Sequence, residues 1–242
     1  MRLSKLDSPF LRYLIDSDVM VGRRLPALND ISREMGISVG KLREQMEVAR
    51  SMGLVSARPR LGVQRQPFDF SQMLVDGVLF GLASGEANFE QFSRLRQVVE
   101  AGFWDQAVVL LTPVDKQHLL DLMAKAWDKL LGEPIHIPNS EHRDLHLTIF
   151  NRLDNPFVQG ILSTYWDTYE ASEWTRFVRY AYWIEVWTYH EKIVNALCNN
   201  DFELGRQLLV EHFSLLRSIP SPDIEPPAES VQFSPITKGE TK

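Results

Sequence analysis

The sequence is short of several features that would place it in other classes of protein. It has a single cysteine, Cys198, which excludes an internal disulfide and fits a reducing compartment. No stretch approaches the ~18–20 uninterrupted apolar residues of a membrane span, and the first residues form no signal-like apolar run. Strand-like alternation is almost missing after Pro67. We therefore expect a cytoplasmic, mainly α protein that is not inserted in a membrane.

The chain has 242 residues, which is enough for two hydrophobic cores. Its 44% apolar and 24% charged residues are ordinary for a packed soluble protein. The charge is uneven, because residues 1–66 carry 12 Lys/Arg and 7 Asp/Glu, whereas residues 67–242 carry 14 and 25. A basic N-terminal part followed by an acidic remainder favours binding of a polyanion by the N-terminal part. The alternative is that the uneven distribution of charge arose by chance.

The first 66 residues follow the order of a winged helix-turn-helix. Apolar spacing predicts a first helix around Phe10 to Ile15 and a second from about Ala27 to Met35. Ser38 is placed to cap a third helix. Short strands at Leu54-Val55 and at Val63 would flank a basic turn, which we expect to be the wing.

The rest of the chain predicts an antiparallel bundle of amphipathic helices, several of them bounded by proline. We expect helices near residues 69–84, 89–111, 114–131, 140–153, 156–178, 181–199 and 201–217. Residues 219–242 contain five prolines and little apolar periodicity, which is typical of a disordered tail. The predicted domains are thus a DNA-binding domain at 1–66, a helical domain at 67–218 and the tail.

Basic residues of the N-terminal segment are candidates for contacts with DNA. The first turn of the third helix reaches base edges in the major groove of a helix-turn-helix complex, so Lys41 and Arg43 can address guanine there. Ser38 can cap this helix or contact a phosphate. Arg58 and Arg60 on the wing would meet phosphate or the minor groove. The alternative is a helical protein-interaction domain whose arginines are only solvated.

This segment resembles the N-terminal winged helix of the GntR family of transcription regulators over about residues 8–66. The resemblance is carried by short runs in a fixed order. They are Gly22-Arg23-Arg24-Leu25-Pro26, Ile31-Ser32-Arg33-Glu34-Met35-Gly36-Ile37-Ser38, Leu42-Arg43-Glu44, Gly53-Leu54-Val55 and Gly62-Val63. It implies that Arg23, Arg33 and Gly62 belong to the DNA-binding surface. Val39 departs from the family pattern, which usually has a basic, DNA-contacting residue there.

All six histidines lie in the second part of the chain. His142 and His146 are four residues apart, so they share one helix face at a spacing that can chelate a single metal ion. His190 and His212 lie in the last two predicted helices, and antiparallel packing can bring them to one point in the core. For each of them the alternative is a hydrogen-bonded core histidine.

Residues 90–217 resemble the helical C-terminal domain of the FadR subfamily of GntR regulators, the FCD domain. The matching pieces are Leu95-Arg96 with Glu100, Leu145-His146 with Asn155-Pro156, His190-Glu191-Lys192-Ile193 with Ala196-Leu197 and Asp201, and Glu211-His212-Phe213. In many members an Asp and three His hold a divalent metal that helps to fix a small carboxylate effector. By position the three histidines are His146, His190 and His212, whereas His142 stands where the Asp is usual.

The substitution at His142 changes the chemistry that the resemblance implies. Asp144 is a poor replacement for the missing Asp, since it lies two residues from His146 and so on nearly the opposite face of the helix. Four imidazoles suit zinc, nickel or copper better than hard cations, and they favour an anionic effector because one negative charge is lost. We expect zinc or nickel, with a site that no longer holds metal as the alternative.

Arg96 is the candidate for binding the carboxylate of an organic acid through two parallel hydrogen bonds. An ion pair with Glu100, four residues later on the same helix face, is an equally good interpretation. Aromatic residues that can line a pocket, or simply pack a core or a dimer interface, follow in the sequence. They are Trp166, Tyr169, Trp174, Tyr180, Tyr182, Trp183 and Trp187.

Taken together, these features predict a transcription regulator and not an enzyme, and the resemblance to the GntR family implies that it is a homodimer. Residues 1–66 would bind double-stranded operator DNA, and an organic-acid effector in the second domain would change the spacing or freedom of the two DNA-binding heads. One alternative keeps the DNA-binding head but has a metal-free pocket for an acyl chain or other apolar ligand. Another is a metal-dependent hydrolase, although the sequence has no HExxH or comparable arrangement.

Overall fold

The computed structural model describes residues 6–17, 19–58, 60, 62–171 and 179–218, except the side chains of 216–218. In these ranges the chain forms ten α-helices and one two-stranded sheet, which confirms the mainly α fold. None of the described helices is long and apolar enough to cross a membrane. Trp174, the predicted end of the helix at 156–178 and the predicted tail at 219–242 lie outside the described residues.

The N-terminal segment contains three helices and a hairpin in the expected order. They are α1 (Pro9–Asp16), α2 (Leu28–Met35), α3 (Val39–Ser51), β1 (Val55–Arg58) and β2 (Gly62–Arg65). The Ser38 side chain accepts a hydrogen bond from the Lys41 amide and so caps α3, as predicted. A common core holds the three helices and β1 together. It consists of Phe10, Leu11, Leu14, Leu25, Ile31, Leu42, Met46, Ala49 and Val55.

The hairpin is extended by a third chain segment that the sequence pattern does not indicate. The Leu25 amide donates to the Val63 carbonyl at 2.8 Å, and the Arg65 amide donates to the Arg23 carbonyl at 3.0 Å. Gly62 has a φ of +74°, and a Cβ there would lie 2.6 Å from Nε of Arg24. The left-handed backbone at this turn therefore favours glycine, whereas the exposed Arg24 side chain could move aside for a Cβ.

The second part of the chain forms seven helices, each with a predicted counterpart. They are α4 (Phe70–Ala83), α5 (Phe89–Val108), α6 (Pro113–Leu131), α7 (Asn139–Phe150), α8 (Pro156–Ala171), α9 (Tyr180–Cys198) and α10 (Phe202–His212). The predicted end of the helix at 89–111 is wrong. The chain turns after Val108, because the Thr112 and Asp115 side chains form a capping box that begins α6.

The prediction of one α-helix over residues 201–217 is also wrong. Helix α10 ends at His212, and residues Phe213–Ser218 form a 3-10 helix. Phe213 and Leu215 are both buried. In an α-helix, residues two positions apart point to nearly opposite sides. The tighter winding of the 3-10 helix brings Phe213 and Leu215 closer to one side.

Helix α8 carries a close contact that positions α4, the helix that follows the hairpin. A Cβ at Gly160 would lie 2.6 Å from Cβ of Phe70 and 2.9 Å from the Ser71 amide nitrogen. The Phe70 ring also meets Phe157 edge-on, with 5.1 Å between the ring centroids. The first turn of α4 is therefore seated directly on α8.

We expect Gly160→Ala to lower the free energy of unfolding by about 1–3 kcal/mol, because the added methyl group forces α4 away from α8. Gly102→Ala is the matched control, since a Cβ at this position in α5 meets nothing within 4 Å. The control should be neutral or stabilise the chain by up to about 1 kcal/mol. Urea unfolding measures both, and equal effects of the two substitutions would contradict the close contact.

Candidate functional site

Four histidines from three helices meet in the core of the bundle. His142 and His146 come from α7, His190 from α9 and His212 from the last position of α10. One possible ligand atom from each residue lies within 4.8 Å of the other three, and all four side chains are buried. The i, i+4 spacing and the antiparallel packing of the last two helices thus bring together the residues that the sequence singles out. We call these residues the histidine cluster.

Burial favours the neutral form of the imidazoles in the cluster. Burial, with the neighbouring imidazoles and Arg96, holds the pKa of His142, His190 and His212 well below its usual value. Burial also lowers the pKa of His146, although the carboxylate of Glu100 opposes that shift. Neutral imidazole is the form that binds metal ions.

Several ring nitrogens of the cluster are buried without a hydrogen-bond partner among the described residues. Both nitrogens of His142 and Nδ1 of His190 and of His212 are in this state. Nε2 of His146 lies 3.2 Å from Nε2 of His190. Leaving a polar atom buried and unpaired costs about 1–3 kcal/mol. A metal ion would use such lone pairs, and four imidazoles are a donor set that zinc and other late transition metals accept, so the residues present fit a metal.

Glu100 of α5 is the site residue whose role the sequence pattern misses. One carboxylate oxygen lies 3.1 Å from Nδ1 of His146, and the other lies 3.6 Å from Nε of Arg96, although neither contact has the geometry of a hydrogen bond. Burial alone would raise the pKa of Glu100, but Arg96 and His146 bring it below its usual value. An anionic carboxylate at Nδ1 favours the tautomer with the proton on that nitrogen, which leaves Nε2 of His146 free to bind a metal.

The Arg96 side chain is buried in the same region, with 1% of its surface exposed. Its guanidinium carbon lies 4.6 Å from the centroid of the Tyr165 ring and 5.5 Å from that of Trp166. The ion pair with Glu100 is present, yet 3.6 Å is longer than a hydrogen bond, and Nε and Nη2 of Arg96 find no hydrogen-bond partner in the described part of the chain. Both interpretations of Arg96 thus retain support.

Aromatic rings surround His142. The ring centroids of Trp166, Trp183 and Trp187 lie 4.6, 6.2 and 6.0 Å from that of His142, and the centroid of Tyr169 lies at 6.0 Å. Some of the aromatic residues singled out in the sequence border the cluster, whereas Tyr180 and Tyr182 make other contacts. The Tyr180 hydroxyl donates to the Leu130 carbonyl at 2.9 Å, and Tyr182 packs edge-on against Trp183. Asp144 is exposed, as expected from its position on α7.

The predicted DNA-contacting side chains lie on the surface of the N-terminal segment. The exposed residues are Arg23, Arg33, Ser38, Lys41, Arg43, Arg58 and Arg60. Lys41 forms an ion pair with Glu44 at 3.1 Å, and Arg33 forms one with Asp30 at 3.3 Å. Such exposed pairs contribute little, so they leave both cations available to a polyanion. Contact of these residues with DNA stays a prediction.

Comparison with known proteins agrees with this architecture. The FCD domain family model matches residues 91–215, which is more than half of the chain. The structure of GntR from Streptococcus agalactiae is similar with a TM-score of 0.60 at 14% sequence identity, over 86% of this chain and 95% of that one. McbR/YncC from E. coli gives a TM-score of 0.47 at 21% identity, over 88% and 96%. A search of curated proteins gave no match. The chain belongs to the FCD domain family, and its fold is similar to that of the GntR structure from Streptococcus agalactiae.

Proposed function

We propose that this chain is a transcription regulator whose affinity for double-stranded operator DNA is controlled by an organic acid bound beside a metal ion at the histidine cluster. The observation that carries the proposal is a concentration of buried nitrogens without a hydrogen-bond partner among the described residues. They belong to Arg96, His142, Trp166, Trp183, Trp187, His190 and His212. Folded proteins rarely leave so many buried polar atoms unpaired in one place, so a ligand is expected there.

The metal would be held by His142, His146, His190 and His212, with zinc or nickel as the best fit. The donor set contains no carboxylate, so it suits late transition metals better than magnesium, calcium or manganese. When bound, the metal supplies two positive charges that four neutral imidazoles do not balance. An anionic effector is therefore favoured next to it.

Arg96 would bind the carboxylate of the effector. Nε and Nη2, which lack a hydrogen-bond partner among the described residues although Nε is ion-paired with Glu100, form one side of the guanidinium. This is the side that binds a carboxylate through two parallel hydrogen bonds. The ring of Trp166 lies beside both Arg96 and His142, so an acid bound to the guanidinium lies close to the histidine cluster.

DNA binding is assigned to residues 1–66, and binding of the effector and of a second copy of the chain to residues 67–218. The basic N-terminal segment presents the first turn of α3 and the wing to solvent, as a helix-turn-helix needs for the major groove. A homodimer would place two such segments on the halves of an inverted repeat. Effector binding would alter operator affinity through a coupling of about 1–3 kcal/mol.

Selection of binding sites from a library of random DNA duplexes tests this function with the full-length chain. We expect enrichment of one inverted repeat, bound with the steep salt dependence of phosphate contacts. Recovery of duplexes with no shared sequence over successive rounds would contradict a sequence-specific regulator.

Lys41→Ala and Arg43→Ala should each weaken binding to the selected duplex by about 10- to 100-fold, because each removes a donor from the first turn of α3. Arg94→Ala is the control, since Arg94 is an exposed cation on α5 that pairs with Glu90. Fluorescence anisotropy of labelled duplex measures all three. An equal loss in the Arg94 variant would indicate a general effect of charge instead of recognition by α3.

Elemental analysis of the purified chain should find nearly one zinc or nickel ion per chain, and His190→Ala should lose it, because four buried ligands become three. His118→Ala should keep the metal, since His118 is exposed on α6 and lies outside the cluster. Metal content that is the same in the two variants would contradict the assignment.

Glu100→Gln should weaken zinc binding by about 10- to 100-fold, since the neutral amide oxygen is a weaker acceptor than the carboxylate for the proton on Nδ1 of His146. Competition with a chromophoric chelator measures the affinity, and the visible spectrum of the cobalt form reports the ligand geometry. The double variant Arg96→Met, Glu100→Gln removes both buried charges. If the single variant unfolds, the zinc affinity of the double variant is compared with that of the unaltered chain instead. Unchanged affinity in a folded variant would mean that Glu100 only balances Arg96.

A further inference from the structure

The first turn of α3 presents an apolar side chain next to a stretch of bare backbone. The buried residues of this helix, which face the core of the N-terminal segment, are Leu42, Met46 and Ala49. Val39, the first residue of the helix, is half-buried and is not among the described apolar side chains that pack against that core. Gly40 follows it and is exposed. Neither residue therefore serves the packing of the segment.

Nothing in the described fold requires glycine at position 40. Its backbone is helical, and its φ is not positive, unlike that of Gly36 and Gly53. Among the described residues, a Cβ there would meet only Oγ of Ser38 within 4 Å, at 3.9 Å. Glycine is the poorest helix former after proline, so alanine would suit α3 better. Glycine is instead expected where a partner approaches the backbone closely.

Helical periodicity decides which way these residues point. Gly40 is two residues from Leu42, so it lies on the side of α3 that faces away from the core. Val39 and Arg43 are four residues apart and are therefore neighbours on one flank of the helix. Arg43 is exposed and makes no ion pair with another described residue. The two side chains are thus placed to contact adjacent base pairs.

The chemistry of valine restricts what it can recognise. Its side chain carries only methyl groups, so it forms no hydrogen bond with a base edge. The apolar group that base pairs present in the major groove is the C5-methyl group of thymine. Valine is also short, so it reaches this methyl group only if the backbone of the helix lies close to the bases. The missing side chain at Gly40 gives the clearance for such an approach.

We infer that α3 lies deep in the major groove with the backbone of Gly40 against the DNA, and that Val39 selects thymine at one position of each half-site. The inference rests on the proposed function, since it takes operator DNA as the partner of α3. Arg43 reads a guanine beside that thymine through its guanidinium donors. Each half-site of the operator therefore contains a G·C pair next to an A·T pair.

Uracil in place of thymine tests the contact, because it removes the C5-methyl group and leaves base pairing unchanged. In the inverted repeat selected by the full-length chain, each thymine is replaced in turn and the affinity is measured by fluorescence anisotropy. We expect one replacement per half-site, next to a G·C pair, to weaken binding by about three- to tenfold. Val39→Ala should weaken binding to the thymine duplex similarly and remove most of the difference between the two duplexes.

Val48→Ala is the matched control, because Val48 is a 53% exposed valine in the second half of α3. It should keep both the affinity and its dependence on the thymine methyl group. The melting temperatures of the two valine variants should stay close to that of the unaltered chain, since neither side chain packs against the described core.

Gly40→Ala tests the close approach of the backbone. It should weaken operator binding about tenfold, because the added methyl group holds Val39 and Arg43 away from the bases. The melting temperature should stay the same or rise, since alanine is the better helix former. Gly102→Ala on α5 is the control and should leave operator binding unchanged, because a Cβ there also meets nothing within 4 Å among the described residues.

The results distinguish this inference from the proposed function. If uracil changes the affinity at no position, or by the same factor in Val39→Ala, Val39 does not contact thymine and the inference is wrong, whereas sequence-specific binding stands. Unchanged operator affinity of Gly40→Ala would overturn the close approach of α3. If selection enriches no common sequence, the proposed regulator and the inference are both contradicted.

Discussion

The bundle is organised around ionisable side chains that are buried away from water and need partners within the fold or from a ligand. Four imidazoles, one guanidinium and one carboxylate lie there, all nearly without exposed surface. Burial of polar groups is unfavourable unless each is paired, and it is most unfavourable for charges. Glu100 reduces this cost because it faces both His146 and Arg96. The imidazoles avoid it by staying neutral, which also makes them ligands.

The helices that carry the site are also linked to the N-terminal segment by packing contacts. Helix α8 contributes Trp166 to the surroundings of His142, and its Gly160 seats the start of α4. A Cβ at Gly53, just before the hairpin, would lie 2.7 Å from Cβ of Gln72 on α4. A ligand that shifts α8 thus has a contiguous route through α4 to the winged helix. This is the physical basis that we propose for coupling between the effector and the operator.

Much of the site follows from helix geometry and could be predicted from the sequence. The four-residue spacing of His142 and His146 places them on one face of α7 regardless of tertiary detail. The role of Glu100 could not be predicted in this way. Its four-residue spacing to Arg96 already accounts for a carboxylate at this position as the partner of an ion pair, without reference to His146. Its contact with His146 depends on how α5 packs against α7. The pairing of residues 22–25 with β2 is equally non-local, and so is the 3-10 turn that buries both Phe213 and Leu215.

Thermal unfolding of the chelator-stripped full-length chain, with and without one equivalent of zinc, tests most directly whether the histidine cluster is a metal site. We expect zinc to raise the melting temperature by several degrees, because binding to the folded state alone stabilises it. His142→Ala should abolish most of this increase. A melting temperature that zinc leaves unchanged, or raises equally in the variant, would mean that the histidine cluster is not a metal site.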